Sequence, residues 1–194
     1  MLRTRRAAAM TVSEAIRIVL TLLERRGGDY LLVGGIAAIH HGIPRFTKDA
    51  DFVVSMSAEA LAAFLAEMPP GFRVDPQARM ELFTGTMRWV VNVPAADYDM
   101  EFFLLGSDPH YAEEFRRRER VRLPVVEMDA WLASAEAIII QKLRWLRLKD
   151  QQDIEGIVGL KGRALDFPYI EKWCAIHGTQ ARLDELRRLI PPDL

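Results

Sequence analysis

The sequence predicts an α/β (α+β) protein: an α/β core with an N-terminal helix over residues 1–130, then a C-terminal helical part over 131–194 packed on it as a single compact unit. Three observations carry this expectation. Short apolar runs ended by glycine or proline alternate with amphipathic stretches as far as residue 71; strand-like alternation dominates 72–105; helical periodicity takes over from Ser134. Half of the 194 residues are hydrophobic, enough for a sizeable core. Lys and Arg total 26 against 27 Asp and Glu, so no global field advertises nucleic acid or membrane. The single cysteine, Cys174, excludes an intramolecular disulfide and a Cys-rich zinc site, and fits a reducing compartment. The start, MLRTRRAAAM, is basic but lacks a signal-peptide apolar core, and no apolar run reaches membrane-spanning length. The expectation is a soluble cytoplasmic protein with no membrane partner.

Each element has its own signal. Thr11 or Ser13 caps a helix whose face carries Val12, Ile16, Val19, Leu20 and Leu23, and Gly27-Gly28 stops it. Tyr30–Val33 reads as a buried strand, Gly35–His41 as a short helix ended by Gly42 and Pro44, and Ala50–Ser55 as the next strand. Ser57 caps a helix over Ala58–Glu67, which Pro69-Pro70-Gly71 breaks. Met80–Thr84 and Met87–Val93 flank Gly85 as a hairpin, and Tyr98–Leu105 follows Pro94. Pro109–Arg118 reads as helix and Val121–Met128 as one strand. Helices then follow over Ser134–Leu148, Gln151–Val158, near Phe167–His177 and over Ala181–Leu189.

The chemistry concentrates in LLVGGIAAIHHGIPRFTKDADFVV, residues 31–54. A strand running into Gly34-Gly35 and a helix leaves free N–H groups at the helix start, where the dipole favours anions and glycine lets a phosphate approach. In a strand, residues i and i+2 share a face, so Asp49 and Asp51 present four oxygens together while Ala50 and Phe52 face the core. Two such carboxylates repel unless a cation or proton lies between them, and hard oxygen ligands suit Mg²⁺. Asp97, Asp99 and Glu101 alternate ahead of an apolar strand, and a neighbouring strand can bring one of them beside the pair. Carboxylates around metal ions are the equipment of phosphoryl transfer.

The glycine pair, His41-Gly42, Arg45, Thr47, Asp49-Ala-Asp51, and the later run from Ser134 through Lys142 with Asp150 and Asp153 resemble the minimal nucleotidyltransferases of the polymerase-beta superfamily. The nearest branch is the AbiEii-type nucleotidyltransferase-like group, many of them toxins of toxin–antitoxin pairs. The resemblance spans about Tyr30 to Leu160. It implies a nucleotidyltransferase fold, with a mixed β-sheet flanked by helices and a C-terminal helical extension. It also implies a metal-dependent enzyme, with Mg²⁺ or Mn²⁺ as cofactor, that transfers NMP from an NTP to an RNA (tRNA) or protein hydroxyl. A cognate antitoxin or regulator is the implied partner. Residue by residue, Gly34, Gly35, Arg45 and Thr47 fall at nucleotide-binding positions, and Asp49 and Asp51 at the metal ligands. Glu101 falls at the third acid, with Asp99 the alternative; the family uses aspartate there. Lys142 matches a phosphate-neutralising lysine and Asp153 the family's later acid. The alternative reading is a catalytically inactive fold that binds a nucleotide or a partner.

Other features read as structural. Adjacent His40 and His41 diverge by about 100° on a helix and do not chelate together, and His41 reads as a helix-end residue facing the dipole. Arg116-Arg117-Arg118-Glu119-Arg120 with Arg122 is the densest basic run, a candidate nucleic-acid grip or a solvated face. Trp89, Trp131, Trp145 and Trp173 read as core or interface anchors, Cys174 as a buried apolar residue, and Arg144 and Lys149 as an ordinary cationic face.

Overall fold

The computed structural model describes residues 10–81 and 85–189; the basic start and the tip of the expected hairpin (82–84) lie outside the described residues. Helix α1 spans Val12–Arg25 with Thr11 as its N-cap. The Thr11 hydroxyl accepts from the Glu14 N–H at 3.2 Å while the Thr11 N–H donates to the Glu14 carboxylate at 2.8 Å, a capping box that decides against Ser13. Ile16, Val19, Leu20 and Leu23 are buried as the pattern requires.

The sheet is mixed. β1 (Tyr30–Val33), β2 (Asp49–Val54), β5 (Thr86–Val93), β6 (Tyr98–Leu104), β7 (Glu119–Leu123), β8 (Met128–Leu132) and two short strands, β3 (Arg73–Val74) and β4 (Arg79–Glu81), build it in the order β3-β5-β6-β2-β1-β8-β7, with β4 paired to β5. β2 is central: antiparallel to β1, parallel to β6. Its strict half-buried/buried alternation puts Ala50, Phe52 and Val54 into the core and both aspartates on the other face. Phe52 and Phe102 stack with ring centroids 5.1 Å apart beneath it.

Helices flank this sheet: α2 (Gly34–His41), α3 (Ala58–Leu65), α4 (Pro109–Arg116), α5 (Ala135–Trp145), α6 (Leu148–Lys161), α7 (Phe167–Ile176) and α8 (Gln180–Leu189). α2 packs on β1, β2, α5 and α6, and α5 packs on α6 and α7. None of the described helices is long and apolar enough to cross a membrane.

Three local expectations need correcting. The single strand expected over 121–128 is a hairpin: β7 and β8 run antiparallel around residues 124–127, where Pro124 lacks a ladder N–H and Glu127 is left-handed (φ 53). The helix expected over 134–148 stops at Trp145, because Leu146 adopts φ 52, and α6 begins at Leu148. His41 does not act on the helix dipole. Its Nε2 lies 2.7 Å from the Ala133 carbonyl, which makes it the donor, and burial holds its pKa at about 4, so it is neutral.

Three outcomes are expected. Glu127 is exposed and left-handed, so Glu127→Gly should raise stability by about 0.5–1 kcal/mol. Asp97→Gly (φ 50) should gain less, because aspartate tolerates that conformation; urea midpoints check both. Between its ordinary pKa of 6.5 and about 4, His41 is protonated in the unfolded chain but not in the folded one, so its contribution is complete above pH 6.5 and is lost as pH falls to 4. Urea unfolding at pH 7 and pH 5 should show the wild type losing on the order of 2 kcal/mol that His41→Gln does not lose.

Candidate active site

One cavity of about 290 Å³ gathers most of the residues that the sequence singled out: Gly34, Gly35, Arg45, Thr47, Asp49, Asp51, Glu101 and Lys142 all line it. Its floor is the polar face of β2, and its mouth includes the start of α2. Val33, the N-cap of α2, has no side-chain acceptor, so the first-turn N–H groups are left for a ligand.

The two glycines are there because of the aspartates. Gly34 is left-handed (φ +60), and a Cβ on it would sit 1.8 Å from Asp51 Oδ2. A Cβ on Gly35 would sit 2.4 Å from Thr47 Oγ1, and that hydroxyl donates to Asp49 Oδ1 at 2.7 Å. The Tyr98 hydroxyl donates to the Asp49 carbonyl at 2.6 Å and fixes the start of the strand. Each glycine thus clears the space that one aspartate, or its orienting threonine, occupies.

Four carboxylates form a two-by-two array on one face, because the β2–β6 register pairs Asp49 with Asp99 and Asp51 with Glu101. Like charges placed so are unfavourable. Asp99 leaves the array: it accepts from Asn92 Nδ2 and does not line the cavity, so the alternative third acid is the less suited of the two. Glu101 stays in the cavity, where Arg88 Nη1 donates to both of its oxygens at 3.0 and 2.9 Å. Burial raises the Glu101 pKa and Arg88 only partly offsets this. Burial pushes Asp51 up to about 7, with Asp49 and Glu101 adding to the shift.

Among the described residues no three His, Cys, Asp or Glu side chains converge as a ready-made metal cage. The Asp49/Asp51 pair nevertheless fits a divalent ion. It offers hard oxygens on one face, Asp51 has no ion-pair partner among the described residues and feels Lys142 and Lys149 only through space, and Mg²⁺ takes one or two protein carboxylates with the rest of its shell from water and substrate phosphates.

Lys142 and Asp153 sit differently from what the resemblance implies. The Lys142 ammonium is buried, 2.7 Å from Asp153 and 3.1 Å from Asp150. Arg45 grips Asp153 with two bonds of 2.7 and 2.8 Å, and Arg147 Nε donates to Asp150 at 2.7 Å. Burial alone would raise the pKa of both aspartates, but these cations hold them below the ordinary value. Asp153 does not line the cavity: its oxygens are taken by Arg45 and Lys142, which makes it the anchor of the cations. Three cations share two carboxylates, so the network keeps one net positive charge on the cavity wall. The left-handed break at Leu146 makes this possible, since it turns α6 back so that Asp150 and Asp153 meet Lys142 on α5.

Sequence reasoning missed Arg88, Glu114 and Gln141, and it did not assign Tyr111, Trp145, Arg147 or Asp150 to the site, although all of them line the cavity. For Arg88 a signal existed: it stands two residues from Val90, the direct cross-strand partner of Glu101, within diagonal reach. The basic run is spent on ion pairs, Arg117 with Asp166, Arg118 with Asp29, Arg120 with Glu24 and Arg122 with Asp129. Trp131 stacks under Arg118 and Arg120, and Trp173 and Cys174 are buried.

Comparison of this architecture with solved structures is decisive for the fold. The chain has the nucleotidyltransferase fold. The antibiotic-resistance factor ANT(2'')-Ia in solution matches with a TM-score of 0.57 at 15% identity, over 93% of this chain and 100% of that one. Its crystal structure in complex with adenylyl-2''-tobramycin matches at 0.55 and 15%, over 87% and 98%. An antigenic nucleotidyltransferase-like protein from Paracoccidioides brasiliensis matches at 0.56 and 17%, over 90% of each chain. Neither a family model nor a curated protein sequence matches the chain.

Removing Asp153 should test the cation network. Asp153→Ala removes the carboxylate that Lys142 and Arg45 share, leaving Lys142 with Asp150 alone, and is expected to cost about 1.5–3 kcal/mol, measured by denaturant unfolding.

Proposed function

We propose that this chain is a nucleotidyltransferase that moves an NMP group from an NTP to an acceptor hydroxyl and releases pyrophosphate. The observation that carries the reading is the meeting, in one cavity, of an open glycine helix start with the Asp49/Asp51 pair. The acceptor oxygen bonds to the α-phosphorus, the bond from that phosphorus to the pyrophosphate oxygen breaks, and the hydroxyl proton passes to a base. A divalent ion on Asp49 and Asp51, Mg²⁺ or Mn²⁺, would supply charge neutralisation at the triphosphate and lower the pKa of the attacking hydroxyl. Thr47 holds one oxygen of Asp49 in place. The N–H groups of Gly34 and Gly35 are positioned to donate to phosphate oxygens. Lys142 acts through Asp150 and Asp153, keeping Arg45 and Arg147 at the wall as the net positive charge that a triphosphate meets. Glu101, with its raised proton affinity, is the group assigned to receive the hydroxyl proton.

The acceptors implied by resemblance are an RNA end, a tRNA in the toxin setting, or a protein hydroxyl. A toxin role with a tRNA acceptor and a cognate antitoxin rests on the motif resemblance alone. Among the described residues Arg117, Arg118, Arg120 and Arg122 of that run are paired with acids, which weakens it as a grip for a polyanion.

A specific observation favours a second reading. The Arg88 clamp on Glu101 neutralises the third acid, as suits a fold that binds nucleotide or partner without transfer. Transfer of label from an α-labelled NTP with Mg²⁺ or Mn²⁺ separates the two. Asp49→Ala and Asp51→Ala are each expected to lower transfer by about a hundredfold or more. Undiminished transfer in the double variant would overturn the first reading. Calorimetric NTP binding with no labelled product would establish the second.

A further inference from the structure

Glu114, on α4, is the one buried carboxylate of the cavity wall, among the described residues, that neither the triphosphate nor the metal reading employs. Its residue is 3% exposed, yet it lines the cavity that holds Asp49 and Asp51. One oxygen accepts a single long bond, 3.3 Å, from Gln141 Nε2. The other, Oε1, is buried with no hydrogen-bond partner. A carboxylate has room for about four donors, and a buried one left with a single weak bond calls for a ligand.

No cation pairs directly with Glu114 among the described residues; Arg144 acts on it only at longer range. Gln141 gives its other amide hydrogen to His110 Nδ1 at 3.2 Å, and burial holds His110 neutral, with a pKa of about 3. Arg144 is turned to the Tyr111 hydroxyl at 3.0 Å and to Asp108 at 3.5 Å. Burial accordingly pushes the Glu114 carboxyl up to about 7. The wall is shaped for close contact: a Cβ on Gly106 would meet the Tyr111 ring at 2.8 Å and Thr86 Cγ2 at 2.9 Å.

We propose that Glu114 is a specificity-determining residue that binds a protonated amine of a small amino-alcohol ligand in this cavity. A neutral hydroxyl donor would leave the buried charge uncompensated, whereas an ammonium both fills the unpartnered oxygen and cancels the charge. Calling that ligand the acceptor rests on the nucleotidyl-transfer reading; the amine site itself does not. A polyanionic acceptor is disfavoured at this wall, since the carboxylate would repel its phosphates.

Titration of the full chain with glucosamine and with glucose, followed by NMR shifts, tests the site without turnover. The wild type is expected to bind glucosamine roughly tenfold or more tighter than glucose. Glu114→Gln should bring the two sugars to the same affinity, and Glu114→Asp, which keeps the charge but withdraws it by one methylene, should give a smaller preference. Equal affinity, or no binding, of the two sugars on the wild type overturns the proposal, as does a preference that survives Glu114→Gln. If Glu114→Gln does not fold, the Asp variant decides: an undiminished preference overturns the proposal. Mg²⁺–NTP calorimetry on the same samples keeps the two ideas apart. An amine preference without NTP binding leaves Glu114 in place and removes the transferase reading, while NTP binding without an amine preference does the reverse.

Discussion

The close approach between the end of β1 and the polar face of β2 constrains everything else in the site. The register sets Val33 opposite Asp51, so the next two residues of the chain pass directly over the Asp51 carboxylate and the Thr47 hydroxyl. Any side chain at 34 or 35 would collide there, and position 34 also needs a left-handed backbone. One pair of glycines therefore answers two demands at once. Under the proposed reaction it would open the helix start toward a phosphate and let the carboxylates stand close enough to share a cation with it.

Charge is the second constraint. A site that gathers Asp49, Asp51 and Glu101 needs compensation before any substrate arrives, and the protein supplies it indirectly. Arg88 from the neighbouring strand holds Glu101. Arg45, Lys142 and Arg147 are each held by Asp150 or Asp153, so their positions are fixed and only their surplus charge acts on the cavity. Fixed charges of this kind need little rearrangement when a triphosphate binds. Isolated lysines would be freer, and would also be pushed apart by one another.

Short-range features were the legible ones in the sequence. The β2 alternation, the capping of α1, the glycine pair and the i, i+2 aspartates follow from periodicity and from steric rules that act within a few residues, and the architecture around them follows too. What the sequence hid depends on contacts between distant segments. The hairpin of β7 and β8 was masked because its turn carries the apolar pair Val125-Val126 and uses a left-handed glutamate where glycine would be the usual sign. The pairing of Lys142 with Asp150 and Asp153 was hidden because the chain reversal at a left-handed leucine, which buries it against α6, has no local signature. Glu114 looked like one more acid on an amphipathic helix, and only the tertiary structure puts it in the cavity wall.

Helix α5 divides the cavity by polarity. Gln141 and Lys142 are consecutive, so their side chains leave the helix about 100° apart. Lys142 turns toward Asp150 and Asp153 and joins the wall that carries a net positive charge. Gln141 turns toward Glu114 and His110 and joins a wall with an uncompensated carboxylate. A phosphate-bearing ligand is drawn to the first wall and kept off the second, and a cationic one is drawn the other way.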